Sequence, residues 1–136
     1  MTGFVLDTSA IMAVLLRETD AEAFRRYLDG RSSPVISAAT LHETYCVSRR
    51  DDLPIRARQI SQFLALVEPE IIAFDVVQLE AARIAYSTYG RGSKHRANLN
   101  MGDCFSYALA KTHRLPLLFK GDDFIHTDIE PALKPV

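Results

Sequence analysis

Four short apolar runs, separated by segments of helical periodicity, constrain this chain more than any other feature. Gly3-Phe4-Val5-Leu6 reads as a continuously apolar strand that ends abruptly in the carboxylate of Asp7. Pro34-Val35-Ile36-Ser37, Ile71-Ile72-Ala73-Phe74 and Pro116-Leu117-Leu118-Phe119 read the same way. A strand covered on both faces loses the alternation of a half-exposed one, and such runs belong to parallel sheets under helices. Between them the spacing predicts helices over about 9–16 and about 20–28, the second stopped by Asp29-Gly30. Further helices are expected over 38–50 and from Pro54 onward, the latter carrying Ile60, Phe63, Leu64 and Val67. Val76, Leu79, Ala82, Tyr86 and Tyr89 form one stripe of the next helix, and Met101, Phe105, Ala108, Leu109 and Thr112 one face of the last. A polar loop runs from Gly90 to about Asn100, Gly121-Asp122-Asp123 is a turn, and the final residues add an edge strand or lie on the surface. Strands alternating with helices make an α/β sandwich around a mostly parallel sheet.

At 136 residues the chain is expected to form one domain, 1–136, with no linker or repeat. Apolar residues at 48% and charged residues at 24% exclude disordered and fibrous classes. Sixteen basic against seventeen acidic residues give a net charge of −1, which excludes binding to nucleic acid through a bulk positive field. No apolar run is long enough for a membrane span, and the start lacks a signal-peptide pattern, so a cytoplasmic protein is expected. Cys46 and Cys104 lack metal or redox spacing and read as buried free thiols.

In a parallel α/β sheet, ligands gather beyond the carboxyl ends of the strands. Asp7 follows the first strand, Glu43 lies early in the helix after the second, Asp103 opens the last helix, and Asp122 and Asp123 follow the fourth strand. Each has a plain structural role available: a cap, a dipole partner, a solvated residue or a turn. Taken together they converge on one edge, where they repel one another unless a cation lies among them. Oxygen donors suit Mg²⁺ or Mn²⁺. His42, His95, His113 and His126 show no zinc-ligand spacing. Carboxylates holding such a cation serve phosphoryl chemistry, which requires basic residues nearby for the phosphate. From Ala81 through Gly102 there is no acidic residue, and Arg83, Arg91, Lys94, His95 and Arg96 lie within that stretch, with Asn98 and Asn100. Such a loop grips a nucleic-acid backbone. Tyr86 and Tyr89 are read as core residues rather than base-stacking ones.

Asp7-Thr8-Ser9-Ala10, Glu43, Asn100-Met101-Gly102-Asp103-Cys104-Phe105 and Gly121-Asp122-Asp123-Phe124 together resemble the PIN-domain ribonucleases, and among them the VapC toxins of toxin–antitoxin pairs. The resemblance spans essentially the whole chain and is strongest from Tyr86 to Asp128. It implies a PIN-like three-layer sandwich, Mg²⁺-dependent endonuclease cleavage of RNA by a metal-activated water, a VapB-type antitoxin, and a homodimer or hetero-oligomer with it. Carried over, Asp7 and Asp103 are the principal metal ligands, Glu43 the third acid, Asp123 the fourth, and Thr8 a supporting hydroxyl. Asp122 is not assigned a role.

Three alternatives stand beside this reading. One is a PIN nuclease without a toxin role. A second is a small Mg²⁺ phosphatase with Asp7 as nucleophile, against which Ser9 occupies the position where that chemistry places a second Asp. The third is a non-catalytic regulatory module, which leaves the full acidic set unexplained.

Overall fold

The computed structural model describes residues 3–30 and 33–134. Four strands, β1 (Phe4–Leu6), β2 (Pro34–Ser37), β3 (Glu70–Ile72) and β4 (Leu117–Leu118), form one sheet in the order β3-β2-β1-β4. Every pairing is parallel: Val5 lies opposite Val35 on one side and Leu117 on the other, and Ile36 opposite Ile71. All four strands therefore end at the same edge. The strand order reverses beside β1, which makes that edge the expected place for a ligand crevice.

Among the described residues, six helices cover the sheet: α1 (Thr8–Leu15), α2 (Ala21–Gly30), α3 (Ala38–Val47), α4 (Ala57–Val67), α5 (Val76–Tyr89) and α6 (Met101–His113). Strand alternation divides the core between the two faces. Val5 and Leu117 pack with Ala82, Ala85, Cys104, Tyr107 and Ala108 of α5 and α6. Phe4, Leu6 and Leu118 turn the other way, towards Ile11, Phe24 and Phe63 of α1, α2 and α4. The result is a three-layer α/β sandwich, as expected. A 3₁₀ turn (Phe124–His126) follows β4, and the chain then returns beside it, with Leu117 N–H donating to Glu130 O and Ala132 N–H to Leu117 O. These bonds make the C-terminal segment a one-residue parallel bridge at the sheet edge. No helix among the described residues is long and apolar enough to cross a membrane.

The stripe expected on α5 is corrected. Val76 is 79% exposed, and Leu79 and Tyr86 also face solvent, whereas Gln78, Ala82 and Ala85 are buried. The α5–α6 seam is built from small residues, and alanines let two helix backbones approach where branched side chains would hold them apart. Tyr86 is accordingly not a core residue, while Tyr89 is partly buried with its ring 5.9 Å from Tyr107. The face expected on α6 is corrected too: Met101 is 72% exposed and Phe105 half-buried, and Cys104, Tyr107 and Ala108 turn inward. Cys104 is buried as expected, but Cys46 is exposed on α3.

Two substitutions test the α5 register by urea unfolding. Val76→Ser is expected to stay within about 0.5 kcal/mol of the native chain. Ala85→Leu, which inserts bulk into a fully buried seam, is expected to cost about 1–3 kcal/mol. A larger loss at Val76 than at Ala85 would restore the stripe read from the sequence.

Candidate active site

Asp7 leaves β1 in extended conformation and caps α1, its Oδ2 accepting from Ser9 N–H at 3.0 Å. The structural role open to a lone Asp here is therefore real, but it uses only part of the carboxylate. Ser9 Oγ donates to the same Oδ2 at 2.6 Å and accepts from Lys120 N–H at 3.0 Å, which ties the end of β4 to the start of α1. The other oxygen, Oδ1, accepts from Ser106 Oγ of α6 at 2.5 Å. With 4% exposure, burial pushes the Asp7 carboxyl above the usual range, against the lowering effect of the Ser106 and Ser9 hydrogen bonds.

Asp103 repeats this double use. It stands at the third position of α6 in a reciprocal capping box: Asn100 Oδ1 accepts from Asp103 N–H at 2.8 Å, and Asp103 Oδ2 from Asn100 N–H at 3.0 Å. Its carboxyl is pushed up to about 7, first by burial and then by the charges of Asp7, Asp123 and Glu43, with the Asn100 hydrogen bond opposing. Glu43, on the second turn of α3, accepts from Thr8 Oγ1 at 2.8 Å, and burial raises its carboxyl with a further push from Asp7. Its carboxylate lies against the bare backbone of Gly102, where any Cβ would overlap it. Asp122 and Asp123 are exposed at the turn after β4. There Gly121 has φ of +104°, which permits the reversal at no steric cost.

The fold thus brings Asp7, Glu43, Asp103 and Asp123 to one edge, close enough for Asp103 to feel the other three. Among the described residues no Lys, Arg or His forms an ion pair with any of them. Lys120, the nearest in sequence to the β4 end, pairs with Glu18 at 2.9 Å and Asp20 at 3.2 Å instead. Nor do three His, Cys, Asp or Glu side chains among the described residues close into a ready metal cage. The arrangement is an open carboxylate edge. Cys104, behind Asp103, has its thiol pushed up to about 11 by burial and by Asp103, and is an inert core side chain.

The basic loop leads directly into the Asn100 cap. It is ordered by a bridge between Gly90 and Leu99 and by burial of Ala97 and Leu99, leaving Arg91, Lys94 and Arg96 exposed. His95 differs from them: its Nδ1 accepts from Ala97 N–H at 3.0 Å and its ring stands edge-on to Tyr89 at 4.9 Å. This places His95 in the internal structure of the loop. Arg83 lies on α5, paired with Glu80.

Sequence reasoning named the Thr8 hydroxyl but missed the others beneath the acids. Thr40, Thr44 and Ser106 are fully buried, and Thr8 nearly so. Thr44 Oγ1 donates to Thr40 O at 2.9 Å and lies 2.9 Å from Thr8 Oγ1, while Thr40 Oγ1 lies 3.2 Å from Ser106 Oγ. A signal was present: Thr40 and Thr44 flank Glu43 at helical spacing, and Ser106 stands one turn after Asp103.

The PIN domain family matches residues 4–130. The chain is 44% identical over 131 residues to Ribonuclease VapC30 of Mycobacterium tuberculosis, covering 96% of this chain and 99% of the relative. Among solved structures, Mycobacterium tuberculosis VapC20, described as a sarcin–ricin loop cleaving toxin, aligns with TM-score 0.72 at 15% identity over 97% of this chain and 99% of that one. A toxin–antitoxin complex from Klebsiella pneumoniae aligns with TM-score 0.59 at 18% identity, over 84% and 82%. At these identities the two structures support the fold.

The raised carboxyls give a pH effect of definite sign. Between about pH 4 and 7 the native chain keeps a proton on Asp103 that the unfolded chain has released. The resulting stabilisation is complete below the unfolded value and is lost as the pH rises through 7. With chelator present, the thermal midpoint should therefore fall between pH 5 and pH 8. Asp103→Asn, which keeps an oxygen for the cap, should flatten that fall, and an unchanged profile would exclude Asp103 as its source.

Proposed function

The chain belongs to the VapC family of PIN-domain proteins, and from that premise we propose that it is a divalent-metal-dependent endoribonuclease, the toxin of a toxin–antitoxin pair. One observation carries the reading: four carboxylates share a partly buried edge with no cationic side chain bound to them, which leaves a repulsion that a bound cation relieves without protonating the acids. The donor set fits Mg²⁺ or Mn²⁺. Mg²⁺ binds through one or two carboxylates and retains several waters, so an open edge suits it better than a closed cage would.

Asp7 and Asp103 would hold the cation, with Glu43 and Asp123 completing the negative edge. When bound, the ion neutralises the scissile phosphate and acidifies a water beside it. Glu43 Oε1 is fixed by Thr8, and Oε2 has no hydrogen bond among the described residues, so Oε2 takes the proton of the attacking water. The new bond forms between that water's oxygen and phosphorus, in line with the ester oxygen that departs and is protonated by solvent. Arg91, Lys94 and Arg96 hold the flanking phosphates, and such contacts position a strand without reading its bases. A VapB-type antitoxin and a homodimer complete the reading, within a single cytoplasmic domain; that a structural neighbour is a toxin–antitoxin complex supports the antitoxin partner.

Purified chain incubated with RNA and Mg²⁺ should cleave it, and chelation should stop cleavage. Asp7→Asn and Asp103→Asn should each remove activity, by at least about 100-fold given the loss of metal-held charge stabilisation, with far-UV circular dichroism unchanged. Wild-type rates in either variant would sink the assignment. Gly102→Ala, which displaces the Glu43 carboxylate, should reduce cleavage about as much as Glu43→Ala does, and combining the two should add little.

A further inference from the structure

The hydroxyl chain beneath the carboxylates has a direction that can be deduced by counting protons. A serine or threonine hydroxyl has one proton to donate and two lone pairs to accept with. Ser106 gives its proton to Asp7 Oδ1 at 2.5 Å. In the 3.2 Å contact between Ser106 Oγ and Thr40 Oγ1, Thr40 must then be the donor. The chain runs from Thr40 on α3 to Ser106 on α6 to Asp7 at the end of β1, and all three residues are buried.

The same counting applies to Asp7. Oδ2 accepts from both Ser9 N–H and Ser9 Oγ–H, which fills its two lone pairs. Oδ1 accepts from Ser106, and the Thr8 backbone N–H also donates to the carboxylate. Most of the carboxylate's acceptor capacity is thus taken up within the fold, on both oxygens. We propose that Ser106, supported by Thr40, is a positioning residue that fixes the orientation in which the Asp7 carboxylate meets the cation. This rests on the reading of Asp7 as a metal ligand and adds a residue to it. Ser106 touches neither the cation nor the RNA and acts through Asp7. Partners of this kind, which orient a ligand and set its donor strength, affect metal affinity nearly as strongly as the ligands do.

The test is Mn²⁺ binding to the full-length purified chain without RNA, followed by electron paramagnetic resonance of free Mn²⁺. Four proteins are compared: native, Ser106→Ala, Thr40→Val and the double variant. Ser106→Ala should weaken Mn²⁺ binding roughly 10- to 100-fold, and Thr40→Val, which keeps the shape but loses the donor, should weaken it less. The double variant should bind no more weakly than Ser106→Ala, because Thr40 has no route to Asp7 once Ser106 is gone. Urea unfolding of the same four separates this from packing, since a purely structural role moves the unfolding midpoint and leaves affinity alone. Ser106→Ala binding within about twofold of native overturns the inference, as does an additive double variant, while leaving the metal reading intact. A native chain that binds no Mn²⁺ removes both.

Discussion

The Asp7 carboxylate, buried at the end of β1 and facing donors from two helices, is the interaction on which the rest of this edge depends. A charge taken out of water is tolerated only when hydrogen bonds replace its hydration. Here Ser9 supplies two, Ser106 another, and the Thr8 backbone adds to them. Those bonds also assemble the fold, since Ser9 is in turn held by the backbone of Lys120 beyond β4 and Ser106 by Thr40 on α3. One anion therefore ties together the central strand, its neighbour and three helices.

Local structure and chemistry share atoms in this arrangement. Asp7 caps α1 and Asp103 closes the capping box of α6, each through Oδ2. In both, the cap orients the carboxylate through one oxygen and leaves the other out of the cap. Helix initiation and the proposed cation site are therefore not competing explanations for these residues. The cap accounts for the orientation of each acid, and the mutual repulsion felt by Asp103 accounts for the need of a counter-charge.

A net charge of −1 conceals a separation of signs. The acids are gathered at the strand ends, while Arg91, Lys94 and Arg96 project from an ordered loop that enters the same helix as Asp103. The loop keeps its shape through the Gly90–Leu99 bridge and the His95 contacts with Ala97 and Tyr89. Its cations can therefore face outward without collapsing onto the acids nearby. Neither Asp103 nor its three acidic neighbours has an ion pair among the described residues, and that is the condition for a ligand to supply the charge.

The sequence by itself determined that strands alternate with helices and the edge where Asp7, Glu43, Asp103 and Asp123 meet, although β3 lies at Glu70–Ile72 rather than over Ile71–Phe74 and is largely exposed. Each of these follows from local periodicity plus the geometry of a parallel sheet. It did not determine which side of α5 faces inward. Valine, leucine and tyrosine form an apolar stripe there, but α6 approaches closely enough to require Ala82 and Ala85, a demand set by the partner helix. Nor could it show that Cys46 is exposed, that Gly102 is bare because Glu43 lies on it, or that Ser106 is bonded to a residue 99 positions away. A carboxylate announces itself by its charge wherever it stands in the chain. A buried hydroxyl has no signal of its own until the fold decides what it touches.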